Sequence, residues 1–390
     1  MKRLDFLDGL RGFFLLTMAL SHLVLQGGVW LTEVHFRQVM FVESAQGFVF
    51  ISGLMVGLIQ GRRLLRHGGA AMRKSILSRM AELWLWTVGL IFLALLARDL
   101  APGGYLAWRN WLGTAPIGDP MRIFGILSLT FQPTFMDILP MYIFFMAASI
   151  VVIRWVVEGR WWLAAGLSAL SWIACQLEVA RLWSGPLNEA LKASDTQGLR
   201  MAFDPMGWQV LFMAGVILGA LWASGRISWD RVFGPKTRGV AFCAVLVMLF
   251  FAPLRFATAH GLMPKEMLEL FWPFDQRSNF SVIYLANFVA AAVLFSWLAI
   301  AGRQDSLAFV RGISTALHWI FTRPALCLLG RHSLHVYAWH VVLIYAVRYY
   351  DSTWGPSGVG INTLLGLYVI ALMWLPPLIR ERRRQRPIAA

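Results

Sequence analysis

The chain has 390 residues, of which 58% are hydrophobic and only 14% are charged. About a quarter of the residues of an ordinary soluble domain are charged, so this composition excludes that class and predicts an all-α, polytopic membrane protein. The net charge of +15 would suit nucleic acid in a soluble protein. Its distribution along the chain favours anchoring to a membrane face instead, and we expect no nucleic-acid partner.

Apolar runs of nearly twenty residues recur about ten times, and each is long enough to cross a hydrocarbon core of ~30 Å. We expect one membrane domain over residues 1–390 with a short basic tail at 380–390. Acidic residues near the N-terminus and the absence of a small-residue cleavage site favour a retained first span over a cleaved signal. The predicted spans are 12–30, 43–60, 80–97, 135–153, 161–180, 206–224, 239–256, 280–300, 325–347 and 359–379.

The basic residues are distributed unequally between alternate loops. Of the 35 Lys and Arg residues, 23 fall at the two termini and in the loops on their side, and 11 fall on the opposite side. Since positive loops stay in the cytoplasm, this bias predicts ten spans with cytoplasmic N- and C-termini. The six cations at 61–80 serve this anchoring or attract an anionic cytosolic substrate.

The first span carries Asp8, Arg11 and His22, although ionisable groups in a span cost free energy and usually serve a function. At about 100° per residue, Arg11 and His22 share one helix face with an axial separation of about 16 Å. Asp8 lies one turn before Arg11, close enough to pair with it. Imidazole can remove and return a proton near neutral pH, so His22 is the predicted general base, with a hydrogen-bonded core histidine as the alternative.

The second span opens with FVESAQGFVFISGLMVG. Ser52, Gly53 and Gly57 are small enough to let another helix approach closely, and Ser52 is also a candidate for substrate binding. Glu43 lies at the entrance of the span. A carboxylate there can orient His22 or bind a substrate hydroxyl, so Glu43 is a candidate catalytic residue.

Two later spans begin with polar residues at the same membrane boundary. LTFQPTFMDILPMYI places Gln132 and Asp137 at the start of the fourth span, where Pro140 removes a helix hydrogen bond and favours an irregular opening. FDPMGWQVLFMAG places Trp208 and Gln209 at the start of the sixth. All four polar residues are substrate-binding candidates, with interfacial anchoring as the alternative for the tryptophan.

The ninth span contains the last polar cluster, in LLGRHSLHVYAWHVVLIY. Arg331 and His335 are one turn apart, whereas His340 is rotated by about 140° from His335, so the three cannot face one partner on a regular helix. All three are substrate-binding candidates. Arg331 is best suited to an anion such as phosphate or carboxylate, with pairing to an acid on another helix as the alternative.

Several familiar chemical signatures do not occur in the sequence. We find no zinc signature, phosphate-binding P-loop, dinucleotide fingerprint or nucleophile elbow. We therefore expect no metal and no permanently bound cofactor. Cys175, Cys243 and Cys327 lie far apart and are expected to be buried thiols.

Five segments together resemble the OpgC family, membrane proteins associated with succinylation of osmoregulated periplasmic glucans. The segments are RLDFLDGLRG, FVFISGLMVG, DILPMYI, FDPMGWQVLF and LGRHSLHVYAWH, between residue 4 and about residue 345. The OpgC family is similar to the acyltransferase-3 superfamily, whose first-span signature of an Arg followed after ten residues by a His matches Arg11 and His22. One departure is at FDQRSNF, where Gln276 takes the place of a basic residue and Arg277 follows.

The resemblance implies a multi-pass acyltransferase of the bacterial inner membrane. It implies transfer of a succinyl group from cytosolic succinyl-CoA to a glucan hydroxyl in the periplasm, with His22 as base and Arg11, positioned by Asp8, at the donor mouth. Glu43 or Asp137 would orient the imidazole or the sugar.

Other readings of the sequence stay open. Acetyl or other acyl transfer to another envelope polysaccharide is one, and non-catalytic transport of an acyl group or glycan is another. The implied partners are acyl-CoA, the glucan and the bilayer, with glucan synthesis machinery or a second copy of the chain as further candidates.

Overall fold

The computed structural model describes residues 2–192, 198–199 and 201–385, and these residues form helices and loops without a β-strand. The predicted all-α class is therefore confirmed. Residue 1, residues 193–197, Arg200 and residues 386–390, which end the predicted basic tail, lie outside the described residues.

The helices follow one another along the chain with short connections. They are α1 (Lys2–Ser21), α2 (Trp30–Glu33), α3 (Ser44–Leu100), α4 (Gly104–Leu112), α5 (Pro120–Leu127), α6 (Ile138–Val157), α7 (Trp161–Gln176), α8 (Arg181–Lys192), α9 (Pro205–Ala223), α10 (Trp229–Val232), α11 (Arg238–Ala259), α12 (Lys265–Phe271), α13 (Val282–Ile300), α14 (Ala308–Phe321), α15 (Pro324–Arg331), α16 (Ser333–Trp354), α17 (Val359–Leu372) and α18 (Leu375–Gln385). Short 3-10 helices cover Phe36–Gln38, Pro235–Thr237, Trp272–Phe274 and Gly302–Gln304.

Within the described residues, six helical stretches are long and apolar enough to cross a membrane. They are Ser44–Leu100, Ile138–Val157, Pro205–Ala223, Pro235–Ala259, Val282–Ile300 and Val359–Arg383. The first has 57 residues and is interrupted at Gly68, whose φ of 79° is not helical. This one stretch therefore contains two predicted spans, 43–60 and 80–97.

Three predicted spans differ from the helices observed. The helix predicted at 12–30 ends at Ser21, and the helix predicted at 161–180 is the 16-residue α7, which ends at Gln176. The span predicted at 325–347 is divided at His332 into α15 and α16. The count of about ten spans and the cytoplasmic location of the termini stay predictions.

Small residues bring α3 and α9 into close contact. Gly53 and Gly57 of α3 lie against the backbone carbonyls of Phe212 and Val216 of α9, so closely that a Cβ atom at either glycine would collide with them. The predicted close approach of another helix at these glycines is confirmed. It joins two of the stretches that are long and apolar enough to cross a membrane into one core.

The cysteines differ from one another in burial. Cys175 and Cys327 are buried, as predicted, but Cys243 is exposed. Cys243 lies on α11, whose neighbouring side chains Val240, Phe242 and Leu246 are also exposed. The prediction was wrong for Cys243 because an apolar helix at the edge of a bundle turns one face outward.

Candidate functional site

His22 lies directly after α1 and contacts a second histidine from the other end of the chain. Its Nδ1 is 3.3 Å from Nε2 of His340, a fully buried residue of α16. His340 Nδ1 lies 2.5 Å from the carbonyl oxygen of Tyr337, which can only accept a hydrogen bond. In the neutral dyad His340 therefore donates from Nδ1 and accepts at Nε2. His22 then donates from Nδ1 and keeps the lone pair of its Nε2.

Phe135, a residue with an unusual backbone conformation, supports the His22 imidazole with its aromatic ring. Phe135 stacks on it with ring centroids 4.1 Å apart and an interplanar angle of 25°. The φ of Phe135 is 68°, in the left-handed region that costs free energy for a non-glycine residue. The Tyr337 hydroxyl donates to the Phe135 carbonyl at 2.9 Å. Tyr337 thus holds both residues that contact the His22 ring: its hydroxyl binds Phe135 and its carbonyl binds His340.

Two buried polar side chains hold the turn that follows His22. Asp351 of α16 accepts a hydrogen bond from the Gln26 amide at 3.2 Å, and Asn362 of α17 donates to the Gln26 and Gly28 carbonyls at 2.8 and 3.0 Å. Asp351 is also 3.6 Å from Arg348. We did not predict either residue from the sequence. The signal available was a polar side chain among the mostly apolar residues of its helix.

A charged cluster lies nearer the N-terminus of α1. Asp8 is 3.9 Å from Arg11 on its own helix, as their spacing predicted, and 3.9 Å from Arg331 at the end of α15. Arg331 is also 3.3 Å from Asp5. The alternative interpretation of Arg331, pairing with acids of another helix, is thus observed, although half of its side chain is exposed.

Arg11 connects this cluster to the break between α15 and α16. Its Nη2 donates to the hydroxyl of Ser333, the first residue of α16, at 2.5 Å, while its Nε has no hydrogen-bond partner among the described residues. Gly330 lies against the Asp8 carbonyl so closely that a Cβ there would collide with it. The break at His332 therefore brings the start of α16 next to Arg11.

The entrance of α3 carries a second ion pair. Glu43 precedes Ser44 and lies 3.4 Å from Arg277, and this carboxylate raises the pKa of the Arg277 guanidinium. Gln276, the departure noted in the sequence, donates its side-chain amide to the Trp272 carbonyl. Arg277, not Gln276, is thus the residue of this loop that reaches Glu43.

Asp275 lies beside this pair, in the same loop. Its carboxylate accepts a hydrogen bond from the Tyr284 hydroxyl at 3.0 Å. Burial raises the pKa of Asp275, and the Tyr284 hydrogen bond opposes that increase. The loop thus presents both signs of charge beside Glu43.

Asp137 and Gln132 lie on the segment that also carries Phe135. Asp137 is buried directly before α6 and interacts electrostatically with Tyr337 and Arg277. The Gln132 amide donates to the Leu129 carbonyl at 3.1 Å. Asp137 is therefore brought into the surroundings of His22, whereas the Gln132 amide is engaged in its own loop.

Two residues at the start of α9 occupy packing positions. Trp208 is fully buried, and its indole donates to the Arg277 carbonyl at 3.1 Å. Gln209 accepts from the Ser168 hydroxyl and donates to the Ser168 carbonyl, both at 2.8 Å. These contacts join α9 to the Arg277 loop and to α7, and neither side chain forms a hydrogen bond with His22.

The remaining two candidates also lie apart from the histidine dyad. Ser52 is buried within α3. His335 contacts the Arg380 side chain of α18 and packs edge-on against Trp86, with ring centroids 5.2 Å apart. As predicted, Arg331, His335 and His340 face different partners.

The described residues contain no group of three or more His, Cys, Asp or Glu side chains suited to a metal ion. The two imidazole rings of the dyad are groups that can transfer a proton near neutral pH.

Comparisons with known proteins give one match. Residues 2–385 match the model of the family described as OpgC protein. No curated protein and no solved structure matches the chain. The matched range includes every helix from α1 to α18.

Proposed function

Because this chain belongs to the OpgC family, we propose that it is an inner-membrane O-acyltransferase that moves a succinyl group from cytosolic succinyl-CoA to a hydroxyl of a periplasmic glucan. The family and the apolar helices support a membrane acyltransferase. The donor, the acceptor and the roles of individual residues are the proposal.

The observation that carries the proposal is the direction of the hydrogen bond in the histidine dyad. His340 is held by the Tyr337 carbonyl so that it accepts from His22 Nδ1, and the lone pair of His22 Nε2 remains available. A general base needs such a lone pair within hydrogen-bond reach of the proton that it removes. Stacking on Phe135 limits rotation of the ring and so fixes the direction of this lone pair.

The reaction is proposed as a direct transfer. His22 Nε2 takes the proton of a glucan hydroxyl while the oxygen of that hydroxyl attacks the thioester carbonyl carbon. The tetrahedral intermediate collapses, the carbon–sulfur bond breaks, and the coenzyme A thiolate receives the proton from His22. One ester bond forms, one thioester bond is lost, and the imidazole returns to its neutral form.

The two ion-paired clusters suit the two substrates. At the N-terminal part of α1, Arg11 and Arg331 would attract the anionic donor, because carboxylate and phosphate groups can replace Asp8 as their partner. Near Glu43, the carboxylates of Glu43 and Asp137 would accept hydrogen bonds from sugar hydroxyls. Arg277 would hold Glu43 in place.

The test is mass spectrometry of periplasmic glucans from cells that produce the wild-type protein, His22→Ala, His22→Gln or no protein. Wild type is expected to add the mass of succinyl groups. Both His22 variants are expected to lower the rate of ester formation by ~10²–10⁴-fold, since general-base catalysis typically contributes that factor.

Two comparisons keep this test specific. His67→Ala changes an exposed histidine and should leave acylation unchanged. Wild-type acylation by His22→Ala in correctly inserted protein would refute the role of His22, and an acetyl mass in place of succinyl would change the donor. A protein that stays labelled after incubation with labelled donor alone would replace direct transfer by an acyl-histidine route.

A further inference from the structure

A basic groove opens between the part of α3 that follows Gly68 and the end of α6. Its volume is about 470 Å³, and its lining residues are Ala70, Arg73, Lys74, Leu77 and Arg154. It combines three cations from two helices with two apolar side chains. This composition is unlike that of the histidine dyad and of both ion-paired clusters.

The cations of the groove form no ion pair within the described chain. Arg73, Lys74 and Arg154 are exposed and make no ion pair or side-chain hydrogen bond with another described residue. Arg79, five residues after Lys74 on α3, instead pairs with Glu82 at 2.6 Å. Three neighbouring unpaired cations repel one another, so an anion bound among them would lower the free energy of the folded protein.

Arg226, and not Arg154, donates hydrogen bonds to the carbonyl groups at the end of α6. Arg226 donates to the Val157 carbonyl at 3.0 Å and to the Val156 carbonyl at 3.4 Å, which satisfies two acceptors in the last turn of the helix. The Arg154 guanidinium instead lies beside Gly69 of α3. Arg154 is therefore available at the groove, where its helix meets α3.

Exposed apolar side chains continue from the groove along both helices. On α3, Leu77, Ala81 and Leu85 follow Lys74 at spacings of three and four residues, so they share its helix face, and all three are exposed. On α6, Val151 and Ala147 precede Arg154 on the same side and are exposed too. The cations thus stand at the head of two apolar stripes that run into the membrane-spanning parts of the helices.

We propose that this groove binds an anionic phospholipid. Its phosphate would contact Arg73, Lys74 and Arg154, and its acyl chains would lie along the stripes of α3 and α6. Basic pockets between membrane helices at the cytoplasmic side suit anionic lipid head groups. The apolar stripes favour a lipid over a soluble phosphate compound, since a soluble anion gains nothing from them. The proposal does not depend on the acyltransferase activity.

The experiment measures binding of phosphatidylglycerol to the purified full-length protein in detergent micelles, by titration and by native mass spectrometry of retained lipid. The triple variant Arg73→Gln, Lys74→Gln, Arg154→Gln is expected to bind the lipid about 100-fold more weakly. Each cation near an anionic head group is expected to increase the affinity about fivefold, and the three factors multiply. Arg154→Gln alone is expected to weaken binding about fivefold and serves if the triple variant does not fold.

The control variant Arg231→Gln, Lys236→Gln, Arg303→Gln removes the same charge from exposed positions outside the groove and should bind the lipid as wild type does. Equal weakening of lipid binding in both triple variants would overturn the proposal, because net charge would then be the cause. Inorganic phosphate that binds as tightly as the lipid, or coenzyme A that displaces it mole for mole, would overturn it in favour of a soluble anion. Phosphatidylcholine should bind poorly.

Discussion

The two ends of the first helix hold their polar groups in different ways. At its N-terminal part, Asp8 lies within 3.9 Å of both Arg11 and Arg331, and Arg331 is half exposed. At its other end, His22 and His340 are in contact at 3.3 Å beside the aromatic ring of Phe135. Because Arg331 is half exposed, its ion pairs can exchange partners at small cost, whereas buried hydrogen bonds depend on direction. The first arrangement suits binding and release of a charged group, and the second suits orientation of one nitrogen atom.

The strongest test of this contrast is His340→Phe. It removes the acceptor of His22 Nδ1 but keeps a ring at the position, so the His22 tautomer is no longer fixed. We expect kcat of glucan acylation to fall by about 10²-fold while the donor KM stays near wild type. His67→Phe, at an exposed site, is the control. A raised donor KM with unchanged kcat would instead indicate that His340 binds substrate.

The charged end is tested by Arg11→Ala beside Arg331→Ala. The Arg11 side chain is 17% exposed and that of Arg331 is 53% exposed. Loss of Arg11 leaves Asp8 and Ser333 with fewer partners, and we expect the free energy of unfolding to fall by about 2 kcal/mol. Arg331→Ala is expected to change it by less than about 1 kcal/mol.

Measuring the donor KM of Arg11→Ala and Arg331→Ala separates a role of these cations in donor binding from a role in folding. Both substitutions should raise the donor KM, by about tenfold each, if the cations bind the donor. A donor KM unchanged in both, measured on folded protein, would limit this cluster to a structural role. Thermal unfolding of the purified variants provides the stability values.

The turn after His22 offers a smaller effect. Asp351→Ala removes the acceptor of the Gln26 backbone amide and the partner of Arg348, and the Asp351 side chain is itself buried. We expect a loss of about 1–2 kcal/mol in the free energy of unfolding, measured by denaturation, together with a lower kcat. Glu269→Ala removes the same charge from an exposed site on α12. If both variants behaved alike, the turn would not depend on Asp351.

The smallest expected effect concerns pH and the loop beside Glu43. Burial raises the pKa of Asp275 above its usual value of 3.8, so the folded protein binds this proton more readily than the unfolded chain. Stability from this group therefore increases as pH falls through the raised pKa and decreases as pH rises through it. Relative to Asp275→Asn, wild type should gain thermal stability as the pH falls through the raised pKa of Asp275 towards 3.8. The opposite slope would show that the carboxylate is stabilised in its charged form.

The sequence predicted contacts within one helix better than contacts between helices. The three-residue spacing of Asp8 and Arg11 predicted their pair, because residues one turn apart share a helix face whatever surrounds them. His340 was predicted to bind substrate, and its contact with His22 was not foreseen, since 318 positions separate the two residues. No periodic pattern indicates which of many apolar helices become neighbours.

Local breaks were also hard to predict. The division at His332 brings Ser333 to Arg11, and it falls in the polar stretch GRHS, which has no proline to mark the end of a helix. Phe135 adopts a left-handed conformation that a phenylalanine rarely takes, and only its packed surroundings make it favourable.

The sequence by itself determined the helical membrane class, the close packing at Gly53 and Gly57, and the Asp8–Arg11 pair, because hydropathy, side-chain size and helix period act over a few residues. Tertiary structure alone decided that His340 meets His22, that Asp351 and Asn362 hold the turn after it, and that the cations of the basic groove form no ion pair with another described residue. These features depend on which helix faces pack against each other. That packing is set by the free energy of the whole bundle, which the sequence of any one segment does not reveal.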